Sequence, residues 1–192
     1  MVSQMKEIIF VTSNKGKIAS AQKELENIVV LPYNAELIEP RGDDIKEIAK
    51  EKVLQAYDLV KRPCIALDSG FFIKALNGFP RAYVNHALDT IGLKGILKLM
   101  EDQDDRYCEF RECVAYYDGT SMKFFESKCF GTLSHAIKGT DKINKWSILW
   151  HIYIPDGFNK TLAEFNEEDF IKYKYLEKSS SLRSFATWYN GI

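Results

Sequence analysis

The chain has 192 residues, 46% of them hydrophobic and 28% charged, a balance that excludes an intrinsically disordered protein. Its 26 basic and 27 acidic residues leave a formal net charge of -1, so no overall basic field attracts a nucleic-acid polymer. A polyanionic ligand would therefore be held by a local cluster of cations. The length suits one large domain or two small lobes, and it is long enough to bury a core.

The cysteines and the apolar runs of the sequence indicate the cellular compartment in which the protein is found. No C-x-x-C pair occurs among Cys64, Cys108, Cys113 and Cys129, and each lies in an apolar or strand-like run. We interpret them as free, buried thiols in a reducing compartment. The N-terminus lacks the apolar region of a signal peptide, and no run is long enough to span a bilayer. We expect a soluble cytoplasmic protein that does not bind membranes.

The first third of the chain alternates between strand and helix patterns. The predicted strands are 7–13, 29–35 and 64–68, and the predicted helices are 14–27 and 42–60. The second helix has apolar residues at helical spacing, and Asp44 is a suitable N-cap with Glu47 three residues on. This order predicts an α/β fold around a twisted sheet.

The rest of the chain continues the mixture of elements. We predict a mostly helical segment at 83–103, which Gly92 and Gly95 weaken, and a hairpin at 108–131 that turns at Asp118-Gly119. A strand at 148–155 and a helical region over 167–191 follow. No repeat or linker separates the segments, so we expect a single domain in which any two lobes share a continuous core.

The turn TSNKGK (12–17) lies between the first strand and the first helix. Free backbone N–H groups and the helix dipole favour an anion there, and Thr12, Asn14 and Lys17 add side-chain donors. This pattern suits a triphosphate. The alternative is a basic surface turn, because the spacing is not that of a Walker P-loop.

Two residues of the 42–60 helix are candidates for the same site. Lys52 lies within the apolar stripe, where a lysine either extends to solvent or meets an anion. Glu47 is either a functional carboxylate or the capping-box partner of Asp44, and the sequence alone favours capping.

The third candidate is Asp68, which we place at the end of the third strand, with Ser69-Gly70 forming a turn. Ligands of open α/β sheets lie at the carboxyl ends of strands, and a carboxylate there can bind Mg²⁺ or orient water. An Asx-turn is the alternative.

Taken together, these stretches resemble the Ham1 family, the inosine/xanthosine triphosphate pyrophosphatases. TSNKGK matches the T-x-N-x-x-K phosphate motif, DIKEIAKEK carries the family's magnesium glutamate and helix lysine, and LDSGFFIKALNGFP matches the DSG-L-x-x-x-ALNG-x-P stretch. IPDGFNKTLAEF (154–165) matches I-P-D-G-x-N-K-T-F-A-E, and SLR at 181–183 aligns with S-H-R.

The resemblance implies a two-lobed Ham1/ITPase-like fold, related to anticodon-binding and Maf-like folds, with a twisted mixed sheet, flanking helices and a central cleft. It implies that Glu47 and Asp68 bind Mg²⁺ and that Asp68 also activates water. The substrate-binding residues that it suggests are Thr12, Asn14, Lys17, Lys52, Ser69, Gly70, Trp150, Lys160, Lys178 and Arg183.

Several positions depart from the family pattern. Leu67 replaces an acidic residue, Leu182 replaces the S-H-R histidine, and Arg81 replaces a glycine. The base-reading F-G-Y-D segment aligns with 147–150, Ser-Ile-Leu-Trp, and His151 stands in place of the following proline. The phosphate half of the site is therefore retained while the base half is lost.

The resulting hypothesis is a Mg²⁺-dependent pyrophosphatase that hydrolyses nucleoside triphosphates, non-canonical purines by resemblance, to monophosphate and pyrophosphate with altered or relaxed base specificity. The family implies a homodimer. The alternative is a catalytically impaired pseudo-enzyme that binds nucleotides or a protein partner.

Overall fold

The structure is a computed structural model that describes residues 5–38, 40–141, 146–176 and 180–191. Its strands are β1 (Lys6–Val11), β2 (Ile28–Tyr33), β3 (Cys64–Ile73), β4 (Pro80–Arg81), β5 (Tyr107–Tyr117), β6 (Met122–Leu133) and β7 (Tyr153–Pro155). Its helices are α1 (Lys15–Glu24), α2 (Ile45–Val60), α3 (Val84–Thr90), α4 (Gly92–Leu99), α5 (Glu167–Leu176) and α6 (Ser181–Gly191). Short 3₁₀ turns occur at Lys74–Leu76, Ile148–His151 and Leu162–Glu164.

The strands form one mixed sheet in the order β2-β1-β3-β5-β6-β7, and β4 pairs with β3. β1 runs parallel to both β2 and β3, while β3 is antiparallel to β4 and β6 is antiparallel to β7. The predicted α/β fold with a mixed sheet and flanking helices is confirmed. In the described part of the chain, no helix has the length and apolarity required to cross a bilayer.

Contacts divide the chain into two units. The first unit comprises the described residues of 1–69, 112–127 and 179–192, and the second comprises those of 70–111 and 128–178. Each unit has its own cluster of buried apolar side chains. The single domain with two lobes around one core stays a prediction.

The core of the first unit depends on the alternation of side chains along β3. Ile65 and Leu67 lie in a buried cluster that includes Ala21 of α1 and Phe185 of α6. Successive strand residues point to opposite faces, so Cys64, Ala66 and Asp68 face the other way. Helix α2 packs on that second face, where the Cys64 thiol lies 4.0 Å from the Val53 carbonyl oxygen.

The core of the second unit is built around Phe71 and Ile73 of β3, Ile96 of α4 and Tyr153 of β7, all of them fully buried. The ring of Phe71 contacts those of Phe110 and Tyr153, with centroids 4.6 and 6.0 Å apart. These edge-on and tilted contacts are typical of aromatic cores.

Two predictions about elements are wrong in detail. β3 continues to Ile73, so Asp68 lies within the strand and not at its end, because the residues after Ser69-Gly70 resume the strand and pair with β4. The strand predicted at 148–155 begins as a 3₁₀ turn, which Ser147 caps by accepting from the Leu149 N–H, and only Tyr153–Pro155 is extended. The prediction of a mostly helical segment at 83–103, weakened by Gly92, is confirmed, since α3 ends at Thr90 and α4 begins at Gly92, where φ is 64°.

The four cysteines are free, as predicted. Cys64, Cys108 and Cys113 are buried, whereas Cys129 is only partly buried, which corrects that part of the prediction. Burial raises the pKa of Cys64 and of Cys113 to about 12, so neither thiol ionises near neutral pH.

The predicted hairpin turn at Asp118-Gly119 is confirmed. A substitution at Gly119 tests how α2 packs against the sheet. Gly119 has φ of 100°, and a Cβ atom there would collide with the Tyr57 hydroxyl of α2. We expect Gly119→Ala to lower the free energy of unfolding by about 1–3 kcal/mol, measured by urea denaturation. Gly42→Ala is the matched control, because no atom lies within 4 Å of its Cβ position, and equal losses in the two variants would contradict the prediction.

Candidate functional site

The centre of the candidate site is an ion pair between Lys52 of α2 and Asp68 of β3. The lysine Nζ lies 2.5 Å from Asp68 Oδ1, and the two side chains are 13% and 5% exposed. A buried carboxylate needs a cation or several hydrogen bonds, because desolvation of an isolated charge is costly. The predicted position of Lys52 in the apolar stripe is explained by this anionic partner.

A second cation reaches the adjacent residue of the same strand. Lys17 of α1 donates from Nζ to the main-chain carbonyl of Leu67 at 3.0 Å. Two helices thus bring lysines to Leu67 and Asp68. This concentration of positive charge is suited to an anion with several oxygens.

The TSNKGK turn is ordered by its own side chains. Asn14 is the N-cap of α1, and its Oδ1 accepts from the Lys17 N–H at 3.1 Å. The Thr12 hydroxyl oxygen accepts from the Asn14 N–H at 3.1 Å. Both polar side chains therefore shape the start of the helix and direct Lys17 toward β3.

The second candidate carboxylate is Glu47, in the first turn of α2. The predicted N-cap Asp44 is confirmed, since its side chain accepts from the N–H groups of Lys46 and Glu47. The Glu47 carboxylate itself accepts from Lys50 Nζ at 2.9 Å and is exposed. It is therefore available to solvent and to a ligand.

The carboxylates of the candidate site can be set against the ligands that Mg²⁺ requires. Across residues 5–38, 40–141, 146–176 and 180–191, no three His, Cys, Asp or Glu side chains form a group that could hold a metal ion alone. Mg²⁺ in phosphate-processing sites takes one or two carboxylates, and substrate phosphates and waters complete its shell. Asp68 and Glu47 are two such carboxylates, and they lie on β3 and α2 of the same unit.

The other predicted residues of the first unit are Ser69 and Arg183. Ser69 follows Asp68 in β3 and is partly buried. Arg183 lies in the first turn of α6, where its N–H donates to the Ser180 hydroxyl oxygen at 3.4 Å. Both belong to the unit that carries Lys17, Lys52 and Asp68.

The remaining predicted residues belong to the second unit. Gly70 is buried in β3, Trp150 packs against Phe170 with ring centroids 6.0 Å apart, and Lys160 lies 2.5 Å from Asp169. The hydrogen bond from Lys160 lowers the pKa of Asp169 below its usual value. Lys178 lies outside the described residues.

Two of the positions that depart from the family pattern are apolar and fully buried. Leu182 lies in the core of the first unit, and Leu149 lies in the core of the second, both fully buried. His151 bonds through its two ring nitrogens to the Lys138 carbonyl oxygen and to Asp141, at 2.7 and 3.1 Å. Leu149 and Leu182 therefore lack the polar group that the family pattern has at their positions.

One contact of the site could not be predicted from the residue types in the sequence. The Leu67 carbonyl oxygen is the acceptor for Lys17, and any residue type would supply it. The role of Asn14 as N-cap had a signal, since Asn immediately before a helical pattern is a strong helix start.

The buried pair makes a prediction about stability. We expect Lys52→Met to lower the free energy of unfolding at pH 7 by about 3–5 kcal/mol, because the Asp68 carboxylate is left buried without its cation. Lys50→Met, which removes an exposed cation from the same helix, should cost no more than about 1 kcal/mol. Urea denaturation of both variants provides the measurement. Equal losses would mean that the pair does not stabilise the fold.

The chain is similar to known proteins along most of its length. The sequence model described as the Ham1 family matches residues 8–188. A dITP/XTP pyrophosphatase of Thermococcus kodakarensis is 33% identical over 183 residues, which are 94% of this chain and 96% of that protein. One of Saccharolobus solfataricus is 35% identical over 177 residues, covering 91% and 89% of the two chains.

Solved structures give the same fold. A HAM1 protein from Coxiella burnetii superposes with a TM-score of 0.80 at 20% identity, covering 98% of this chain and 100% of that one. The Staphylococcus aureus Ham1 protein superposes with a TM-score of 0.75, covering 97% and 99%. With a family match that spans nearly the whole sequence, the chain belongs to the Ham1 family.

Proposed function

We propose that the protein is a Mg²⁺-dependent nucleoside triphosphate pyrophosphatase, which hydrolyses its substrate to a nucleoside monophosphate and pyrophosphate. The observation that carries the proposal is the meeting of Lys17 and Lys52 at adjacent residues of β3, one of them the buried Asp68. The names of the similar archaeal proteins, dITP/XTP pyrophosphatases, support the same reaction.

In this proposal the cations hold the triphosphate. Lys17, Lys52 and Arg183 neutralise its oxygens, and Thr12, Asn14 and Ser69 contribute hydrogen bonds. A substrate oxygen that approaches Lys52 competes with Asp68 for the ammonium group, since the two now lie 2.5 Å apart. Substrate binding would thereby release the carboxylate for its second role.

That second role is to act on water. Asp68 accepts a proton from the attacking water, whose oxygen bonds to phosphorus as the bond between the α- and β-phosphates breaks. The proton is then available to the products, so the step balances as a hydrolysis. Glu47 and Asp68 would hold Mg²⁺, and its charge would neutralise the phosphate oxygens.

In this proposal the site discriminates only weakly between the bases of its substrates. Leu149 and Leu182 are buried and apolar, so neither can hydrogen-bond to a purine. Trp150, which packs on Phe170, offers a ring for stacking, and stacking does not distinguish one purine from another. Gly70, Lys160 and Lys178 complete the proposed substrate-binding set by resemblance.

We also infer a cytoplasmic homodimer that acts on free nucleotides and not on nucleic-acid polymers or membranes. The near-neutral formal charge of -1 supports the absence of a polymer partner. The dimer rests on resemblance to the family.

The second candidate function is a nucleotide-binding pseudo-enzyme. It is favoured by Leu67, whose side chain is in the core of the first unit where the family pattern has a carboxylate. With one acidic group fewer, the field that attracts a divalent cation is weaker.

The two candidates differ in turnover. With Mg²⁺ and a panel of natural and deaminated triphosphates, we expect pyrophosphate release that falls by about 10²–10⁴-fold in Asp68→Asn, because the proton acceptor is lost. Asp58→Asn is the control, since Asp58 is an exposed residue of α2 that pairs with Lys61. Absence of pyrophosphate in the wild type would reject the enzyme, and nucleotide-dependent thermal stabilisation would then support the binder.

Base choice gives a separate prediction. Apolar pockets discriminate between similar ligands by about 10–200-fold, whereas sites that hydrogen-bond the distinguishing group reach about 10⁴–10⁵-fold. We expect the kcat/KM values for inosine, guanosine and adenosine triphosphates to differ from one another by no more than about 200-fold. A preference for inosine triphosphate at or above about 10⁴-fold would contradict relaxed base choice while leaving the reaction itself intact.

A further inference from the structure

A cavity of about 330 Å³ lies entirely within the second unit. Its wall is formed by β3, the turn that leads to β4, and the first half of β5, through the residues Phe72, Lys74, Asn77, Gly78, Arg81, Tyr107, Glu109 and Arg111. None of them is among the candidate residues for triphosphate hydrolysis. The volume suits a small ligand.

Strand alternation explains why this cavity is polar. Phe71 and Ile73 point into the core of the second unit, so Phe72 faces the opposite side of the sheet. On β5, Cys108 and Phe110 contact that core, and Tyr107, Glu109 and Arg111 therefore share the face of Phe72.

One lining residue of the cavity, Arg111, is held by contacts with Phe72 and Glu109. The Arg111 guanidinium lies over the Phe72 ring, 3.9 Å from its centroid, and its Nε lies 2.5 Å from Glu109 Oε1. The Glu109 side chain is only 8% exposed and also accepts from the Tyr107 hydroxyl at 3.1 Å. Burial and this carboxylate raise the pKa of Tyr107 to about 12, so the hydroxyl keeps its proton.

The terminal nitrogens of Arg111 remain available to a ligand. Within the described ranges, Arg111 has hydrogen bonds and ion pairs only through Nε to Glu109, and its side chain is 42% exposed. Two parallel N–H donors of a guanidinium match the oxygens of a phosphate group, and a rigid fork loses little entropy on binding.

A second arginine stands where the family pattern has glycine. Arg81 has φ of 56°, in the left-handed region that strains a non-glycine residue. It lines the cavity, and its guanidinium donates to the Asn77 carbonyl oxygen at 3.1 Å. This residue therefore adds positive charge to the cavity at a position where glycine would be less strained.

We propose that this cavity binds the phosphate group of a small ligand, with Arg111 as the bidentate donor and Arg81 as the second cation. Cations in the lining outnumber the single carboxylate three to one, although Lys74 is also 2.8 Å from Asp105. Glu109 acts as the positioning residue that fixes Arg111. The phosphate is either free or carried on a small metabolite.

The test is calorimetric titration of the full chain with inorganic phosphate, pyrophosphate and glycerol phosphate at low ionic strength, where screening is weak. We expect Arg111→Gln to weaken binding at least about tenfold and Arg111→Lys to restore only part of the loss, because lysine keeps the charge without the fork. Preference among the three ligands identifies a free or an esterified phosphate.

Two controls separate binding from folding and from the triphosphate site. Arg81→Gly should weaken binding severalfold while leaving the unfolding temperature unchanged or raised, since glycine adopts the positive φ without strain. Lys98→Gln, at an exposed site of α4, should keep the wild-type affinity for this cavity. The proposal is overturned if the wild type binds none of the ligands at millimolar concentration, or if Lys17→Gln abolishes binding that Arg111→Gln preserves.

Discussion

The buried pair of Lys52 and Asp68 is the interaction on which the candidate site depends. A carboxylate that is almost inaccessible to water is tolerated because α2 places an ammonium group 2.5 Å away. One residue further along the helix, the Val53 carbonyl oxygen contacts the Cys64 thiol of the same strand. The ion pair and this contact together hold α2 on β3. The site and the packing of the first unit are therefore one arrangement, and a ligand that competes for Lys52 acts on both.

The two faces of β3 explain why two cations meet there. Leu67 points into the cluster formed with α1 and α6, and Asp68 points toward α2. Lys17 comes from one helix and binds the main chain, while Lys52 comes from the other and binds the side chain. The replacement of an acidic residue by Leu67 fits this geometry, because the leucine side chain belongs to a packed core and its carbonyl still serves as an acceptor.

Much of this arrangement could be predicted from local signals, and the exceptions have physical causes. Asp44 and Asp118-Gly119 act through neighbouring backbone, so their roles follow from a few residues. The position of Asp68 within β3 depended on pairing with β4, which brings in residues more than ten positions away. The positive φ of Arg81 was not readable either, because only the comparison with a glycine pattern marks that position and the backbone angle is set by the turn.

The most direct measurement is a crystal structure with Mg²⁺ and a nucleoside triphosphate analogue that cannot be cleaved between its α- and β-phosphates. The account predicts that Lys52 Nζ moves from Asp68 to a phosphate oxygen, that Lys17 contacts the same triphosphate, and that Asp68 turns to the metal or its water. A complex in which Lys52 and Asp68 stay paired as they are now, at 2.5 Å, while the triphosphate binds away from β3 would contradict it.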